Sequence, residues 1–341
     1  MNEAFGLLPP LNFEKLDPLM QELFNVGEIQ GHTFVHGGYM GQNYKIDTQH
    51  GVYFLKQYQN RINTIIHEIK TAEDYFASQG LPVITPLKDI YNREAFWLEG
   101  NWYSLFPFVI GTSPTFGEIT QTQIRSLAHM LARFHEAGHR FPNRPFQLMR
   151  VGNRRKFILE KTELYRLIMQ KRERNTLDER MLEVLAKKER LVQQNTLLPQ
   201  NIPLSYNCLL HGDFQYLNTF ANEQGEIERV YDLERASLGP AAYELVRSLI
   251  INCFDDAWET RNFSLGRLYI STYRESAPLK YEEFCNAVRL YAYSIIHMTW
   301  IETRYIVFGI QAQIPIFERH AKRLDQLTST NLDVFCEKIW N

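Results

Sequence analysis

No run of about 20 apolar residues occurs in this chain of 341. Its most apolar long stretch, residues 288–310, is interrupted by Arg289, His297, Glu302 and Arg304, which argues against a helix spanning lipid. The first residues, MNEAFGLLPP, lack both a basic and an apolar signal region, so a cytoplasmic location is expected. Cysteine is scarce. Cys208, Cys253, Cys285 and Cys336 lie far apart and form no CxxC pair, so neither a zinc site nor a disulfide framework is indicated, and buried thiols in a reducing compartment are expected. Charge of one sign is not in excess either: 37 Lys and Arg against 39 Asp and Glu give a net charge of −2, and no global case for a nucleic-acid or membrane partner. Repeats and low-complexity tracts are absent. With 45% hydrophobic and 22% charged residues, the composition excludes disorder and describes an ordinary globular protein.

What is present is organised in two parts. Residues 29–58 alternate apolar and polar positions around Gly37, Gly38 and Gly41, as in an antiparallel hairpin with a glycine-bearing turn. Ile62, Ile65, Ile66, Ile69, Ala72 and Phe76 then recur at helical spacing until Gly80 and Pro82, and strands are predicted at 84–90, 94–99 and 102–108. From Thr120 the pattern becomes helical, with Thr120 and Gln123 as a capping box ahead of Ile124, Leu127, Ala128, Leu131 and Phe134. Charged helices are predicted at 154–172 and 177–194. Residues 141–200 carry 14 basic and 7 acidic side chains, which suits a solvated helical pair or a surface for an anionic partner. A length of 341 suggests two lobes, and the junction near Pro107 to Gly111 gives the expected division, 1–108 and 109–341.

The most informative stretch follows, LLHGDFQYLNTFANEQGEIERVYDLERASLGPAAY, from Leu209 to Tyr243. Asp213 and Asn218 stand five apart in a loop after a short apolar strand, and Asp232 ends a second strand about a dozen residues later. This order and spacing suit phosphoryl transfer, in which one carboxylate receives a hydroxyl proton while an Asn and a second Asp supply hard oxygens to Mg²⁺.

HGDFQYLN and VYDLERASLGPAAYEL resemble the catalytic motif and the following Asp strand of the aminoglycoside phosphotransferase and choline kinase-like superfamily. GGYMGQNYKI, VYFLKQY and SQGLPVITPL extend the likeness over most of residues 31–250. The resemblance implies an α+β, protein kinase-like bilobal fold, with a small strand-rich N-terminal lobe that binds nucleotide and a larger helical lobe that carries the catalytic loop and acceptor site. It implies ATP and Mg²⁺ as cofactors and a small hydroxyl-bearing molecule as substrate, an amino alcohol, homoserine, a sugar or an aminoglycoside. Asp213 is then the catalytic base, Asn218 and Asp232 the metal ligands, and Gly37, Gly38, Asn43, Lys56, Glu68 and Phe108 the nucleotide-binding set.

Several of these roles have local support. Period-two alternation puts Lys56 on one strand face with Val52 and Phe54, so a cation for phosphates lies beside apolar neighbours for adenine. Glu68, at one edge of the apolar face of the next helix, is expected to pair with Lys56, while Glu73 lies near the opposite edge. His211 is expected to fix the loop, and Glu234 either reaches the site or forms a strand-end salt bridge. Glu244 stands roughly where the family has an Asp that braces the catalytic loop, and its extra methylene puts the bracing in doubt. Tyr291, Tyr293, His297, Trp300, Glu302 and Tyr305 form an aromatic cluster with a carboxylate, which suits either core packing or capture of an ammonium-bearing alcohol. Two other readings stay open: a pseudokinase that binds nucleotide without transferring phosphate, and an RNA- or lipid-surface protein using the basic helices, which lacks aromatic interleaving. The oligomeric state is not legible.

Overall fold

The structure is a computed structural model that describes residues 11–35, 42–58, 62–111, 118–142, 145–194, 201–254, 258–309 and 314–341. The N-terminal part is built on an antiparallel sheet of β1 (Ile29–Phe34), β2 (Asn43–Thr48), β3 (Gly51–Tyr58), β4 (Phe96–Leu98) and β5 (Asn101–Pro107), in the order β1-β2-β3-β5-β4. Strand alternation divides its two faces. Leu55 of β3 sits opposite Tyr44 and Leu105, and this face buries against Leu16, Met20 and Leu23 of α1 (Phe13–Phe24). Lys56 sits opposite Asn43 and Ser104 and so points to the other face, towards α2 (Asn63–Ser78) and the larger part of the molecule. The strand expected at 84–90 does not form, apart from a bridge at Val83. Pro82 and Pro86 cannot donate to a ladder, and the segment crosses instead as irregular chain, with Leu87 N–H donating to Leu105 O at 2.7 Å. Of the other two predicted strands, 94–99 is reduced to β4 and 102–108 is present as β5, shifted by one residue.

The larger part is helical: α3 (Gln121–His139), α4 (Arg154–Met169), α5 (Thr176–Gln194), α6 (Ala241–Cys253), α7 (Thr260–Ser276), α8 (Tyr281–Ile296), α9 (Trp300–Phe308), α10 (Ile314–Ser329) and α11 (Leu332–Trp340). Its core gathers around α3, which starts with the expected capping box at Thr120 and Gln123 and buries Ile124, Leu127, Leu131 and Phe134. Two short ribbons are set into this core, β6 (Cys208–Leu210) with β9 (Ser237–Gly239), and β7 (Thr219–Ala221) with β8 (Ile227–Val230). Gly138 lets α3 lie directly on β6, since a Cβ there would fall 2.2 Å from the Leu209 carbonyl oxygen.

Contacts on α3 and along β8 help to join the parts. The end of α2 docks on α3 through Phe76 and Phe134, ring centroids 4.7 Å apart, and through the Tyr75 hydroxyl donating to Ala137 O at 2.7 Å. After α2, the chain passes along β8, with Val230 N–H donating to Pro82 O and Ile84 N–H to Val230 O, both at 2.9 Å.

The basic segment is largely neutralised within the molecule. On α4 and α5 and in their connection, Lys161 pairs with Glu189, Arg166 with Glu163, Lys171 with Asp178, Arg174 with Glu179 and Lys187 with Asp325. This is the arrangement of a solvated helical pair rather than a continuous cationic surface.

Candidate active site

β6 carries the chain through the core and delivers His211, Gly212 and Asp213 at its end. The turn needs a glycine: Gly212 has φ +85°, and a Cβ on it would fall 2.0 Å from the Arg235 carbonyl oxygen. Glu244, in the first turn of α6, accepts hydrogen bonds from the backbone N–H groups of His211, at 3.1 Å, and Gly212. His135 of α3 approaches its Oε2 at 3.1 Å. Burial opposes the Glu244 charge, but the His135 hydrogen bond, the two histidines and the Gly212 amide outweigh it and hold its pKa below the usual glutamate value. The longer side chain therefore reaches the loop after β6 from α6, and the doubt raised by glutamate in place of aspartate is answered by this contact.

His211 is buried, which lowers its pKa and keeps the ring neutral. With its proton on Nε2, the ring donates to Tyr231 O at 3.0 Å, and Nδ1 accepts from Asp213 N–H at 3.2 Å. It thus ties the loop to the segment after β8. A second tie runs from Tyr231 N–H to Asn218 O at 2.9 Å, and a third from Asn218 Nδ2 to Asp213 O, also at 2.9 Å. Asp213 and Asn218 are thereby held in one compact loop next to Asp232, whose φ of +69° is rare for a residue with a side chain.

Lys56 crosses to this group from the sheet. Its Nζ lies 2.6 Å from Asp232 Oδ1 and 3.3 Å from Glu234 Oε2, over the Tyr231 ring. Burial works against the ammonium charge, but these two carboxylates overcome it and raise the Lys56 pKa. Phe54, two residues earlier on the same face, packs edge-on against Tyr231 at 5.5 Å and beside Phe106.

The helix partner differs from expectation. Glu68 receives a hydrogen bond from the Gln147 backbone, and Lys56 is not among the charges that act on it. Glu73, from the opposite edge of α2, is the carboxylate turned to this interior: it pairs with Lys70 at 2.9 Å and feels the charge of Lys56. The reason is geometric, since β3 lies over the side of α2 that carries Ile66, Ile69 and Glu73. Asn43 faces the same side as Lys56, and its Oδ1 is buried without a hydrogen-bond partner. Phe108 is half-buried at the end of the sheet, its N–H donating to Val52 O at 3.3 Å and its ring 5.6 Å from Lys45 Nζ. Gly37 and Gly38 lie outside the described residues.

The donor set suits a hard divalent cation. Asn218 uses its Nδ2 on the loop, leaving Oδ1 as an oxygen ligand, and Asp232 has Oδ2 beyond its contact with Lys56. Among the described residues, no three His, Cys, Asp or Glu side chains come together to cage a metal. A small set of oxygens fits a Mg²⁺ site completed by phosphate and water.

Arg247 was not singled out from sequence. It lies one turn after Glu244 on the same face of α6, and its Nη2 hydrogen-bonds Asp213 Oδ1, which also accepts from Gln215 Nε2 at 3.0 Å. The aromatic cluster divides: Tyr291, Tyr293 and His297 are buried, and Glu302 is buried with Lys188 Nζ 2.6 Å from its Oε1. Tyr305 accepts from Asn175 Nδ2 at 3.1 Å. Core packing explains most of the cluster.

A family model described as the phosphotransferase enzyme family matches residues 31–279. Curated proteins give no match. Among solved structures, the fold is similar to that of a spectinomycin phosphotransferase in complex with ADP and spectinomycin, at 14% identity over 97% of this chain and 100% of the other, with a TM-score of 0.64. It is similar to an amicoumacin kinase in complex with AMP-PNP and Ca²⁺, at 12% identity over 95% and 97% of the two chains, with a TM-score of 0.66. A choline kinase from Cryptosporidium parvum Iowa II matches at 12% identity over 95% and 98%, with a TM-score of 0.61.

Proposed function

Since the chain belongs to the phosphotransferase enzyme family, we propose that it moves the γ-phosphoryl group of ATP, with Mg²⁺, onto a hydroxyl of a small polar metabolite. The observation that carries this reading is the ion pair between Lys56 and Asp232, which joins residues 176 positions apart at 2.6 Å, beside the Tyr231 N–H that donates to Asn218 O at 2.9 Å. Lys56 would hold the α- and β-phosphates, with Val52, Phe54 and Phe108 beside the base and with Asn43, Gly37 and Gly38 completing the nucleotide-binding set. Asn218 and Asp232 would hold Mg²⁺, which when bound neutralises phosphate charge and orients the γ-phosphoryl group.

Asp213 would orient the acceptor hydroxyl and take its proton. The new bond joins that oxygen to the γ-phosphorus, the bond from phosphorus to the β,γ-bridging oxygen breaks, and ADP leaves. Arg247 and Gln215 both bind Oδ1, so Oδ2 is the oxygen left to face the acceptor. The fold relatives include enzymes that act on or bind spectinomycin, amicoumacin and kanamycin, and an aminopropanol kinase. Amino alcohols, homoserine, sugars and aminoglycosides therefore form the first acceptor panel. We place the protein in the cytoplasm, where ATP is supplied; no helix among the described residues is long and apolar enough to cross a membrane.

The test is Mg-ATP turnover across that panel with Asp213→Asn as the blank. The variant is expected to bind ATP like the parent and to lose about 10²-fold or more in turnover, the scale of a positioned base. Unchanged turnover would remove Asp213 from the chemistry. ATP binding by the parent without transfer to any acceptor would support a pseudokinase.

A further inference from the structure

Lys56 lies over two aromatic rings. Its Nζ is 5.5 Å from the centroid of the Tyr58 ring and 5.1 Å from that of Tyr231. Tyr58 follows two residues later on the same face of β3, and Tyr231 immediately precedes Asp232. Each ring is fixed by its own neighbours. The Tyr58 side chain is buried, and its hydroxyl accepts from Lys70 Nζ of α2 at 2.6 Å. Tyr231 meets Phe54 and Phe106 edge-on, with centroids 5.5 and 5.3 Å away, while its own hydroxyl is buried without a hydrogen-bond partner, so packing holds this ring. The carboxylates of α2 that flank its apolar stripe are engaged elsewhere. Glu73 pairs with Lys70 at 2.9 Å, and Glu68 receives a hydrogen bond from the Gln147 backbone. Among the described residues, Asp232 and Glu234 are the ion-pair partners of Lys56, and neither is on α2.

We propose that Tyr231 and Tyr58, rather than a carboxylate of α2, are the residues that position Lys56 for the nucleotide phosphates. The inference rests on the phosphotransferase reading, which gives Lys56 that task. The face of an aromatic ring attracts an ammonium group, most strongly where water is excluded, and Lys56 is buried. A ring face takes up none of the three ammonium N–H donors, so all of them stay available to oxygen: Asp232 and Glu234 in this structure, and phosphate with nucleotide bound. A helix carboxylate would compete with phosphate for those donors, and two neutral rings do not. The rings also keep hold of the cation when Asp232 shares its charge with Mg²⁺. Lys70 completes the arrangement, since it neutralises Glu73 within α2 and its bond to the Tyr58 hydroxyl fixes one of the two rings.

The experiment titrates Mg-ATP into the full chain and its variants, with thermal melting to check that each is folded. Tyr231→Leu should weaken Mg-ATP binding about tenfold, the scale of a desolvated contact between a cation and a ring. Tyr231→Phe keeps the ring face and should bind Mg-ATP like the parent. It should also melt no lower, because the hydroxyl it removes is buried and unpartnered. Phenylalanines with one, two and three ring fluorines at position 231 keep the shape of the ring while draining its face of negative charge, so affinity for Mg-ATP should fall stepwise along that series. A Lys70→Met, Glu73→Gln double variant removes the α2 pair without leaving a buried charge alone, and should bind Mg-ATP near the parent value. A flat fluorine series, or a loss in the double variant as large as that in Tyr231→Leu, overturns the inference and leaves the phosphotransferase reading intact. A parent protein that does not bind Mg-ATP overturns both.

Discussion

Lys56 shows how much rests on a single side chain. It is buried under the sheet with Asp232 and Glu234 as its counter-charges, and removing it leaves two carboxylates facing each other without a cation. Lys56→Ala is therefore expected to lower stability by about 3 kcal/mol, the scale for breaking a buried pair, and to weaken Mg-ATP binding. Thermal melting and isothermal titration check the two effects separately. A variant that matched the parent in both would place the nucleotide elsewhere. Lys56 and Asp232 could be singled out in the sequence because each sits in a short motif with a chemical reason for its residue type. Arg247 could not be weighted in the same way, since a charged residue on a helix is ordinary until its neighbour across the core is known.

At the scale of elements, the N-terminus of α6 and the turn after β6 form one unit through Glu244. A carboxylate in the first turn of a helix is favoured by the helix dipole, and here it also takes two loop amides that have no other acceptor. Its folded pKa lies below the ordinary value of 4.5, so its contribution to stability is fully present above pH 4.5 and is lost as pH falls through the depressed value. Glu244→Gln should melt lower than the parent at neutral pH, by about 2 kcal/mol, and the gap between the two melting curves should close on acidification below pH 4.5. A gap that stayed constant down to pH 3 would rule out the charged form as the brace. Helical periodicity located α2 and α3 well, and the capping box marked the start of α3 to the residue. It could not decide between Glu68 and Glu73, because both flank the apolar stripe of α2 and only the position of β3 selects one. Two prolines likewise prevented a strand that the apolar residues of 84–90 had suggested.

For the whole molecule, the fold class and family were legible because five motifs occur in order across both parts of the chain. The contact of Arg247 with Asp213 was not, since it depends on how α6 meets the turn after β6 from 34 positions away. We propose that the two lobes divide at residue 108. At this scale the site joins ligands from both parts, and a triphosphate would bring its charge beside Asp213, Asp232 and Glu234. ATP should accordingly bind more tightly with Mg²⁺ than with excess chelator, by about tenfold or more, and the difference should vanish in an Asn218→Ala, Asp232→Ala double variant. Titration of ATP under the two conditions measures this, and equal affinities in the parent would argue for metal-independent nucleotide binding. The contact between Arg247 and Asp213 also bears on how such a protein diverges. Any replacement at Arg247 disturbs Asp213 at the same time. Arg247 should therefore be among the last positions to drift.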